Sequence, residues 1–549
     1  MNRLEIMMKI IKIITAIFLL GLLTSSQNED LFKLNKTFDI YGAVVRDINE
    51  YYVEDVNPEL LLKNSLTGML KELDPYTEYY EEQDKEKIEI ITNGNYVGFG
   101  INIKKIDNQI VVSGFANDFI AFNDGLRIGD ILYKVDSTVV LNLNSSELKK
   151  YSQGTPGSIA DVKVIRKSDT LSLLLKRHKV EMENIAYYGR TQKGMGYIKL
   201  SRFTRGAADE LESAVLDLQK RNIKGIIIDL RDNPGGLLDE AVRICELFVP
   251  KNTMIVSTKS KNINKSFNYQ SRSEPINSTI PIAVLINKGS ASASEIVAGC
   301  LQDNDRGVII GRNSFGKGLV QTIIKLPYNS SMKITTARYY TPSGRSIQRK
   351  DYYNKIKSDT ATFYTVGGRP MFERRGISPD SIIAKKKFTD FVTKIYNDDL
   401  IFKFGNRISY EFDKTGFVPN HNFEISDSLL NVFKEFISDS DYIYKTKSNK
   451  LIEDLYIQAI DLKLDSTVDA LLDDLDRKFK LDKGVLVDNN KNEIVDLIRY
   501  EILRRFHNLT DLTRIFTTQD SVVKSAETIL SDKTYSRILS GKLINNKSH

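Results

Sequence analysis

The length, composition and charge of the chain exclude several classes of protein. The chain has 549 residues, too many for one hydrophobic core, so about three or four structural units are expected. Its composition, 41% hydrophobic and 27% charged, is that of a globular protein, and the net charge of +7 contains no dense basic block that would favour nucleic-acid binding. The two cysteines, Cys245 and Cys300, lie in apolar segments, which favours buried free thiols over a disulfide.

Residues 1–26 have the pattern of a secretory signal. Basic residues between Arg3 and Lys12 precede an apolar run over residues 13–23, and small residues up to Ser26 offer a cleavage site. The run is short for a membrane-spanning helix, although the preceding isoleucines would lengthen it into an uncleaved anchor. A signal peptide is favoured over an anchor, so the protein is expected to be exported to the periplasm or cell envelope.

Residues 27–84 have helical periodicity. Apolar residues recur there at three- and four-residue spacing, namely Phe38, Tyr41, Val45, Ile48 and Tyr52. Asp74 and Pro75 then end the pattern. A small helical region or an oligomerisation arm is predicted, which leaves a homo-oligomer open.

Residues 85–170 contain several strand and turn signals in a defined order. Glycines flank Phe99 at the start of a strand, a second strand covers residues 109–114, and a Pro-Gly turn leads into a strand at residues 162–166. In this order the segments resemble a PDZ domain. The resemblance implies that Gly98, Phe99, Gly100 and Ile101 offer backbone N–H groups to the terminal carboxylate of a peptide, while the strand edge pairs with that peptide. Taken alone, Gly98 and Gly100 also fit an ordinary turn or bulge.

An α/β core is predicted for residues 171–384, because strand and helix patterns alternate there. Strands are expected at residues 196–200, 226–230, 282–286, 308–310 and 320–326, and helices at 207–221 and 238–248.

A serine-rich turn joins one of these strands to the next helix. It reads Gly-Ser-Ala-Ser-Ala-Ser-Glu-Ile over residues 289–296. A serine in such a turn can present its hydroxyl above a helix N-terminus, where unpaired N–H groups favour a developing negative charge. Ser292 is therefore a candidate nucleophile, although Ser292 or Ser294 would also serve as a simple N-cap.

Two familiar chemistries fit the chain poorly. Residues 311–318 match G-x-x-x-x-G-K, but Gly318 supplies no hydroxyl for Mg²⁺, and a β-branched run follows where a P-loop needs a helix. None of the four histidines lies in a glycine-framed loop of the central region, so a Ser-His-Asp triad is not expected.

A serine–lysine dyad fits better. Lys317 lies between Gly316 and Gly318 at the start of a strand, where the glycines permit a close approach to Ser292. A lysine acts as a base near neutrality only where burial disfavours its charged form. Gln321 lies two pleats further along the same strand face, where its amide could hold the lysine amine.

Together these motifs resemble the C-terminal processing peptidases, or tail-specific proteases. The resemblance rests on Ser-Ala-Ser-Ala-Ser-Glu at residues 290–295, Phe-Gly-Lys-Gly at 315–318 with Gln321, and Asp-Leu-Arg-Asp-Asn-Pro-Gly-Gly at 229–236. It extends from about residue 31 to residue 384.

The family resemblance implies a role for each site residue. Ser292 would be the nucleophile, Lys317 the base and Gln321 the residue that orients the lysine. The N–H of Ala293 and that of one glycine of the 235–236 pair would form the oxyanion hole, and Gly236 is preferred.

The expected fold is therefore a multi-domain α/β protein: a mixed α/β serine protease core, ClpP/crotonase-like, with an inserted PDZ domain and helical N- and C-terminal regions. Residues 385–549 are charged and helical in period, with Ile494, Ile498, Ile502 and Phe506 at four-residue steps, which predicts a helical interaction or shielding domain. An acidic run in that region, Asp473 to Asp476, is interpreted as a solvated helix face rather than a Ca²⁺ site.

The expected function is that of an exported serine endopeptidase without cofactor or metal. Its partners would be proteins or peptides with free, apolar C-termini, with an adaptor protein and membrane association through the N-terminus left open, and no nucleic acid. The alternatives are an inactive PDZ scaffold that keeps a protease fold, and a nucleotide-binding P-loop.

Overall fold

A computed structural model describes residues 31–116, 120–143, 145–350, 352, 361–373, 376–384, 387–439, 447–479 and 483–542. The predicted signal segment, residues 1–26, lies outside these ranges. Among the described residues, no helix is both long and apolar enough to cross a membrane. The described residues divide into two compact units, one with those of 31–82 and 321–335, the other with those of 83–320 and 336–542.

The strands follow in chain order: β1 Glu78–Tyr80, β2 Asn95–Gly98, β3 Ile101–Ile106, β4 Gln109–Phe115, β5 Ile131–Val135, β6 Thr138–Val139, β7 Ile159–Arg166, β8 Asp169–Lys176, β9 His178–Glu181, β10 Ile185–Arg190, β11 Gly196–Leu200, β12 Ile226–Asp229, β13 Met254–Lys259, β14 Phe267–Gln270, β15 Ile282–Ile286, β16 Val308–Gly311, β17 Leu319–Lys325, β18 Ser331–Tyr340, β19 Thr362–Tyr364, β20 Pro370–Phe372 and β21 Ser381–Ile382.

The helices are α1 31–51, α2 Pro58–Lys71, α3 Lys85–Asn93, α4 Ile120–Asn123, α5 Ser145–Ser152, α6 Ala207–Lys220, α7 Leu238–Glu246, α8 Ala293–Asp303, α9 Asp390–Asn397, α10 Leu400–Thr415, α11 Asp427–Asp439, α12 Lys447–Asp461, α13 Ser466–Phe479, α14 Lys483–Asn489, α15 Lys491–Leu503, α16 Leu509–Thr517, α17 Ser521–Ser531 and α18 Thr534–Leu539.

The first unit combines α1 and α2 with a short antiparallel pairing. Asn57 caps α2 by accepting a hydrogen bond from the Leu60 N–H, and Pro58 occupies the first turn, where its missing N–H costs nothing. β1 pairs with the first residues of β18, with Glu78 opposite Lys333. Helices α1 and α2 cover residues 31–51 and 58–71 of the region for which helical periodicity is predicted, and the strand β1 lies in its last part.

Within the second unit, an antiparallel sheet in the order β3-β4-β5-β7-β8 covers the region that resembles a PDZ domain, and β6 pairs with β5. Its core contains Phe99, Val112, Leu126 and Val164. β3 is an edge strand of this sheet. β8 pairs with β7 along its whole length, so the sheet continues to Lys176, beyond the boundary expected at residue 170.

The central sheet has the order β10-β11-β12-β15-β16-β21. β10 is antiparallel to β11, and the other pairs are parallel. Alternate residues of each strand face opposite layers: Ile226 and Ile228 face the cluster with α6, α7 and α8, whereas Ile227 faces α17 and α18. Because both faces are covered, the strands are continuously apolar, as the sequence predicted.

At the end of β12, a buried carboxylate joins the sheet to the C-terminal helices. Asp229 receives a hydrogen bond of 2.7 Å from the Tyr197 hydroxyl and pairs with Lys199 and with Arg231, whose Nη2 lies 2.6 Å away. Arg231 also pairs with Asp520 at 2.7 Å, at the N-terminus of α17. Burial alone would raise the pKa of Asp229, but the charges of Lys199 and Arg231 hold it well below its usual range.

Removing this carboxylate is expected to destabilise the protein strongly. Asp229→Ala leaves Lys199 and Arg231 without their shared anion in a buried site, which should lower the free energy of unfolding by about 3–5 kcal/mol. The matched control is Asp217→Ala, which breaks the exposed pair with Arg221 on α6 and should cost less than about 1 kcal/mol. Denaturant titration checks both values, and equal losses would contradict the structural role of Asp229.

In the C-terminal region the described elements, α9 to α18, are helices, as predicted. Ile494, Ile498 and Ile502 of α15 are fully buried against α10 and α11. Cys245 and Cys300 are buried free thiols, which confirms the expectation for both.

Candidate active site

The serine-rich turn lies between β15 and α8, and Ser292 occupies the N-cap position of α8. The flanking serines are fully buried and bind neighbouring backbone: Ser290 Oγ donates to the Leu230 carbonyl at 2.8 Å and Ser294 Oγ to the Asn233 carbonyl at 3.0 Å. Ser292 is only half-buried, and its backbone has φ 55° and ψ −115°, an unfavourable conformation for a residue with a side chain. The turn is therefore built to expose the middle serine.

A glycine loop packs against this turn. The Ala291 N–H donates to the Asn233 carbonyl at 3.0 Å. A side chain at Gly235, whose φ is +98°, would place its Cβ 2.9 Å from the Ser292 Cβ and 2.9 Å from the Ala293 nitrogen. The close approach to Ser292 thus requires glycine at this position.

Two backbone N–H groups beside Ser292 remain available. The Gly235 N–H donates to Asn233 Oδ1 at 2.9 Å and is already used. Among the described residues, the N–H groups of Gly236 and Ala293 have no hydrogen-bond acceptor. The preference for Gly236 over Gly235 as an oxyanion donor agrees with this geometry, although the role itself stays a prediction.

The Lys317 loop contacts the serine turn through its backbone. The Phe315 N–H donates to the Ser290 carbonyl at 2.9 Å. Gly316 has φ +86°, and a Cβ there would lie 2.8 Å from the Arg349 Cβ. Lys317 is half-buried. β17 begins directly after Gly318, so a strand follows the G-x-x-x-x-G-K match, as predicted, and not the helix that a P-loop requires.

Glu295 joins the two segments, and the sequence did not single it out. Its Oε2 accepts the N–H of Ser292 and that of Lys317, both at 2.9 Å, while Oε1 accepts the Gly316 N–H at 2.7 Å and the Ser314 hydroxyl at 2.5 Å. Burial raises the pKa of Glu295 to about 7, against the effect of these four hydrogen bonds. The Ser-x-x-Glu spacing of a capping box was a signal for the first contact only.

Tyr339 is a second unpredicted residue at this junction. Its ring is buried, and its hydroxyl oxygen lies 2.5 Å from the Lys317 carbonyl and 3.1 Å from the Ser292 carbonyl. Nothing in the sequence around Tyr339 indicated this contact, because it joins residues far apart in the chain.

Gln321 lies in the first unit, on β17. Its amide Nε2 donates to Thr335 Oγ1 at 3.2 Å. The predicted role in orienting Lys317 stays a prediction.

The predicted carboxylate-binding segment connects two sheets. Gly98 ends β2 and lies opposite His178 of β9. The Phe99 ring is buried in the core of the antiparallel sheet, and Ile101 begins the edge strand β3. Gly100 has φ +69°, and its carbonyl accepts the Ala116 N–H at 2.7 Å. An edge strand that follows this segment is the geometry that strand addition by a peptide needs.

No group of three or more His, Cys, Asp or Glu side chains in the described part of the chain is placed to hold a metal ion.

Comparison with known proteins identifies the family. Peptidase family S41 matches residues 194–359, and a family described as "Probable PDZ-protease, C-terminal helical domain" matches residues 391–530. A carboxy-terminal-processing protease of Bartonella bacilliformis is 35% identical over 332 residues, covering 59% of this chain and 75% of the relative. The chain belongs to peptidase family S41.

Within family S41 the chain groups with the carboxy-terminal-processing proteases, so it is a serine endopeptidase that acts on protein substrates. A probable CtpA-like serine protease of Staphylococcus haemolyticus is 26% identical over 464 residues, covering 83% of this chain and 86% of the relative. Among solved structures, a photosystem II D1 C-terminal processing protease is 26% identical, with a TM-score of 0.37, over 62% of this chain and 92% of the other.

Proposed function

We propose that this S41 peptidase is an exported enzyme that captures the free C-terminus of a protein substrate and cleaves the chain with a Ser292–Lys317 dyad. The observation that carries the proposal is the shared carboxylate of Glu295. One oxygen of that carboxylate accepts the N–H groups of both residues, so the two nitrogens lie no more than two hydrogen-bond lengths apart. Nucleophile and base therefore come from segments that meet in the fold.

In the proposed reaction, Ser292 Oγ attacks the scissile carbonyl carbon while its proton passes to the neutral amine of Lys317. The negative charge that develops on the carbonyl oxygen is stabilised by the N–H groups of Ala293 and Gly236, at the N-terminus of α8. In this proposal, Gln321 orients the amine of Lys317.

Collapse of the tetrahedral intermediate breaks the C–N bond. The Lys317 ammonium gives its proton to the leaving amine, and an ester between Ser292 and the N-terminal fragment remains. Water then attacks this ester while Lys317 takes a proton from it. The bond between the acyl carbon and Ser292 Oγ breaks, Lys317 gives the proton to Oγ, and the N-terminal fragment leaves with a new carboxyl group.

Substrate capture is assigned to the PDZ-like region, residues 85–176. Gly98, Phe99, Gly100 and Ile101 would bind the terminal carboxylate, and the free edge of β3 would pair with the residues before it. Of the C-terminal helices, α10 packs against this region: Phe402 contacts Ile106, Val111 and Ile128.

The proposal predicts that the charge on the substrate C-terminus matters. A peptide ending in small or apolar residues should be cleaved faster as the free acid than as the C-terminal amide. Loss of the charge-assisted bonds should cost about 1.5–3 kcal/mol, or roughly ten- to a hundredfold in kcat/KM. Initial rates at low concentration, measured on both peptides with the intact enzyme, check this.

Two further peptides serve as controls. The same sequence ending in Asp or Lys keeps the carboxylate but carries a charged last side chain where the proposal expects an apolar one, so it should be cleaved more slowly than the apolar acid. Equal rates for the acid and the amide would make residues 98–101 a structural turn, and cleavage of none of the peptides would favour the inactive scaffold.

A further inference from the structure

Two side chains, those of Glu295 and Tyr339, each contact the backbones of both Ser292 and Lys317. Glu295 Oε2 accepts the N–H of each residue at 2.9 Å. The Tyr339 hydroxyl lies 2.5 Å from the carbonyl of Lys317 and 3.1 Å from that of Ser292. One side chain therefore binds both N–H groups, and the other faces both carbonyls.

Ser292 needs such support because its backbone is strained. A non-glycine residue at φ 55° and ψ −115° costs of the order of 1–3 kcal/mol and persists only where its surroundings fix it. Glu295 binds the peptide group before the Ser292 Cα, and Tyr339 contacts the peptide group after it. The contacts lie on both sides of the residue whose conformation they fix.

A helix cap alone does not explain the contacts of Glu295. Capping accounts for its bond to the Ser292 N–H at the start of α8. It does not account for the bonds from Ser314, Gly316 and Lys317, which come from a loop that is no part of that helix.

Tyr339 makes the second connection through a single proton. The Lys317 carbonyl at 2.5 Å is the nearer acceptor and the Ser292 carbonyl at 3.1 Å the farther one, so the hydroxyl donates its proton to both in a three-centre hydrogen bond. The Tyr339 N–H also donates to the Gly318 carbonyl at 3.0 Å. Tyr339 of β18 therefore binds the lysine loop through its backbone as well as through its side chain.

We propose that Glu295 and Tyr339 are positioning residues that set the separation of nucleophile and base by clamping their backbones. The inference rests on the proposed Ser292–Lys317 dyad and assigns neither residue a proton-transfer step. A displacement of about 1 Å between reacting groups can lower the rate on the order of a hundredfold, so a clamp on both backbones acts on kcat rather than on substrate binding.

The test is Tyr339→Phe, which removes only the hydroxyl and keeps the buried ring. We expect kcat to fall by roughly ten- to a hundredfold, with KM and the thermal unfolding midpoint close to those of the wild type. The matched control is Tyr340→Phe, the same change one residue along β18, where the ring lies 4.6 Å from Lys259 Nζ; it should keep wild-type kcat.

A second variant tests the other half of the clamp. Glu295→Gln keeps the size of the side chain but turns an NH₂ donor toward backbone N–H donors, so kcat should fall by at least as much as in Tyr339→Phe. Because both residues act on one geometry, the loss in the double variant should be smaller than the product of the single losses. A fluorophosphonate, a reagent that reacts covalently with nucleophilic serines, should also be used on the same proteins. The rate of its reaction with Ser292 reports the reactivity of the serine without the substrate.

The outcomes separate this inference from the proposed dyad. The clamp is overturned if Tyr339→Phe keeps wild-type kcat, or if its kcat falls only in proportion to the loss of folded protein. In either case the dyad still stands, provided that Lys317→Ala is inactive. An active Lys317→Ala overturns the dyad and the clamp with it.

Discussion

Lys317→Ala is expected to lower kcat/KM by at least about 10⁴-fold, and Ser292→Ala should do the same, because nucleophile and base act as one unit. For the same reason the double variant should be no worse than either single variant. Lys317→Arg should also be inactive, since a guanidinium stays protonated and cannot accept the serine proton. Cleavage of a fluorogenic peptide measures all four proteins, and circular dichroism checks that each is folded.

Chemical rescue sharpens this test. Lys317→Cys can be alkylated with 2-bromoethylamine, which forms a thioether, releases bromide and restores an amine at nearly the original length. The native thiols, Cys245 and Cys300, are buried, and burial raises the pKa of the Cys245 thiol, so the engineered thiol should react first. Recovery of cleavage after alkylation is expected, whereas substantial activity in untreated Lys317→Ala would contradict the assignment of the base.

Gly235→Ala is expected to lower kcat/KM by about 10²–10³-fold, because a shifted serine turn would misplace Ser292 and the Ala293 N–H, and loss of one oxyanion donor alone typically costs that much. The new Cβ would meet the Ala291 oxygen at 2.7 Å and the Ser292 Cβ and Ala293 nitrogen at 2.9 Å, so the serine turn must shift. The matched control is Gly368→Ala in the β19–β20 hairpin, where φ is +85° and no atom lies within 4 Å of the added methyl group.

Comparing the two variants separates the effect of backbone strain at positive φ from the effect of a steric clash with Ser292. Both carry a side chain at positive φ and should lose similar backbone stability, but only the first crowds Ser292. Steady-state kinetics together with thermal unfolding distinguish the effects. Equal activity in the two variants would show that the Gly235 loop does not constrain the nucleophile.

The apolar strands of the core were predictable because burial on both faces of a parallel sheet imposes a continuous apolar run. The strand expected at residues 282–286 has those bounds as β15. The end of the antiparallel sheet that contains β3 to β8 was less predictable. Leu171, Leu173 and Leu175 alternate as in any strand, and alternation does not tell which neighbouring strand β8 pairs with.

The candidate site was only partly readable from the sequence. Ser292 and Lys317 lie in short local motifs, which can be recognised in the sequence without knowledge of the fold. Glu295 and Tyr339 act on backbone groups 22 and 47 residues away, so their contacts depend on how the segments meet in the fold. Gly236 was already preferred over Gly235 from the family resemblance, and the structure adds that Asn233 Oδ1 occupies the Gly235 N–H; the oxyanion role stays a prediction.

Covalent labelling of the intact protein with a fluorophosphonate, followed by peptide mapping by mass spectrometry, tests directly whether Ser292 is the nucleophile. We expect one adduct, on the peptide that contains Ser292, which is lost in Ser292→Ala and formed more slowly in Lys317→Ala. An adduct on another serine, or equal labelling of wild type and Ser292→Ala, would contradict the assignment of Ser292 as the nucleophile.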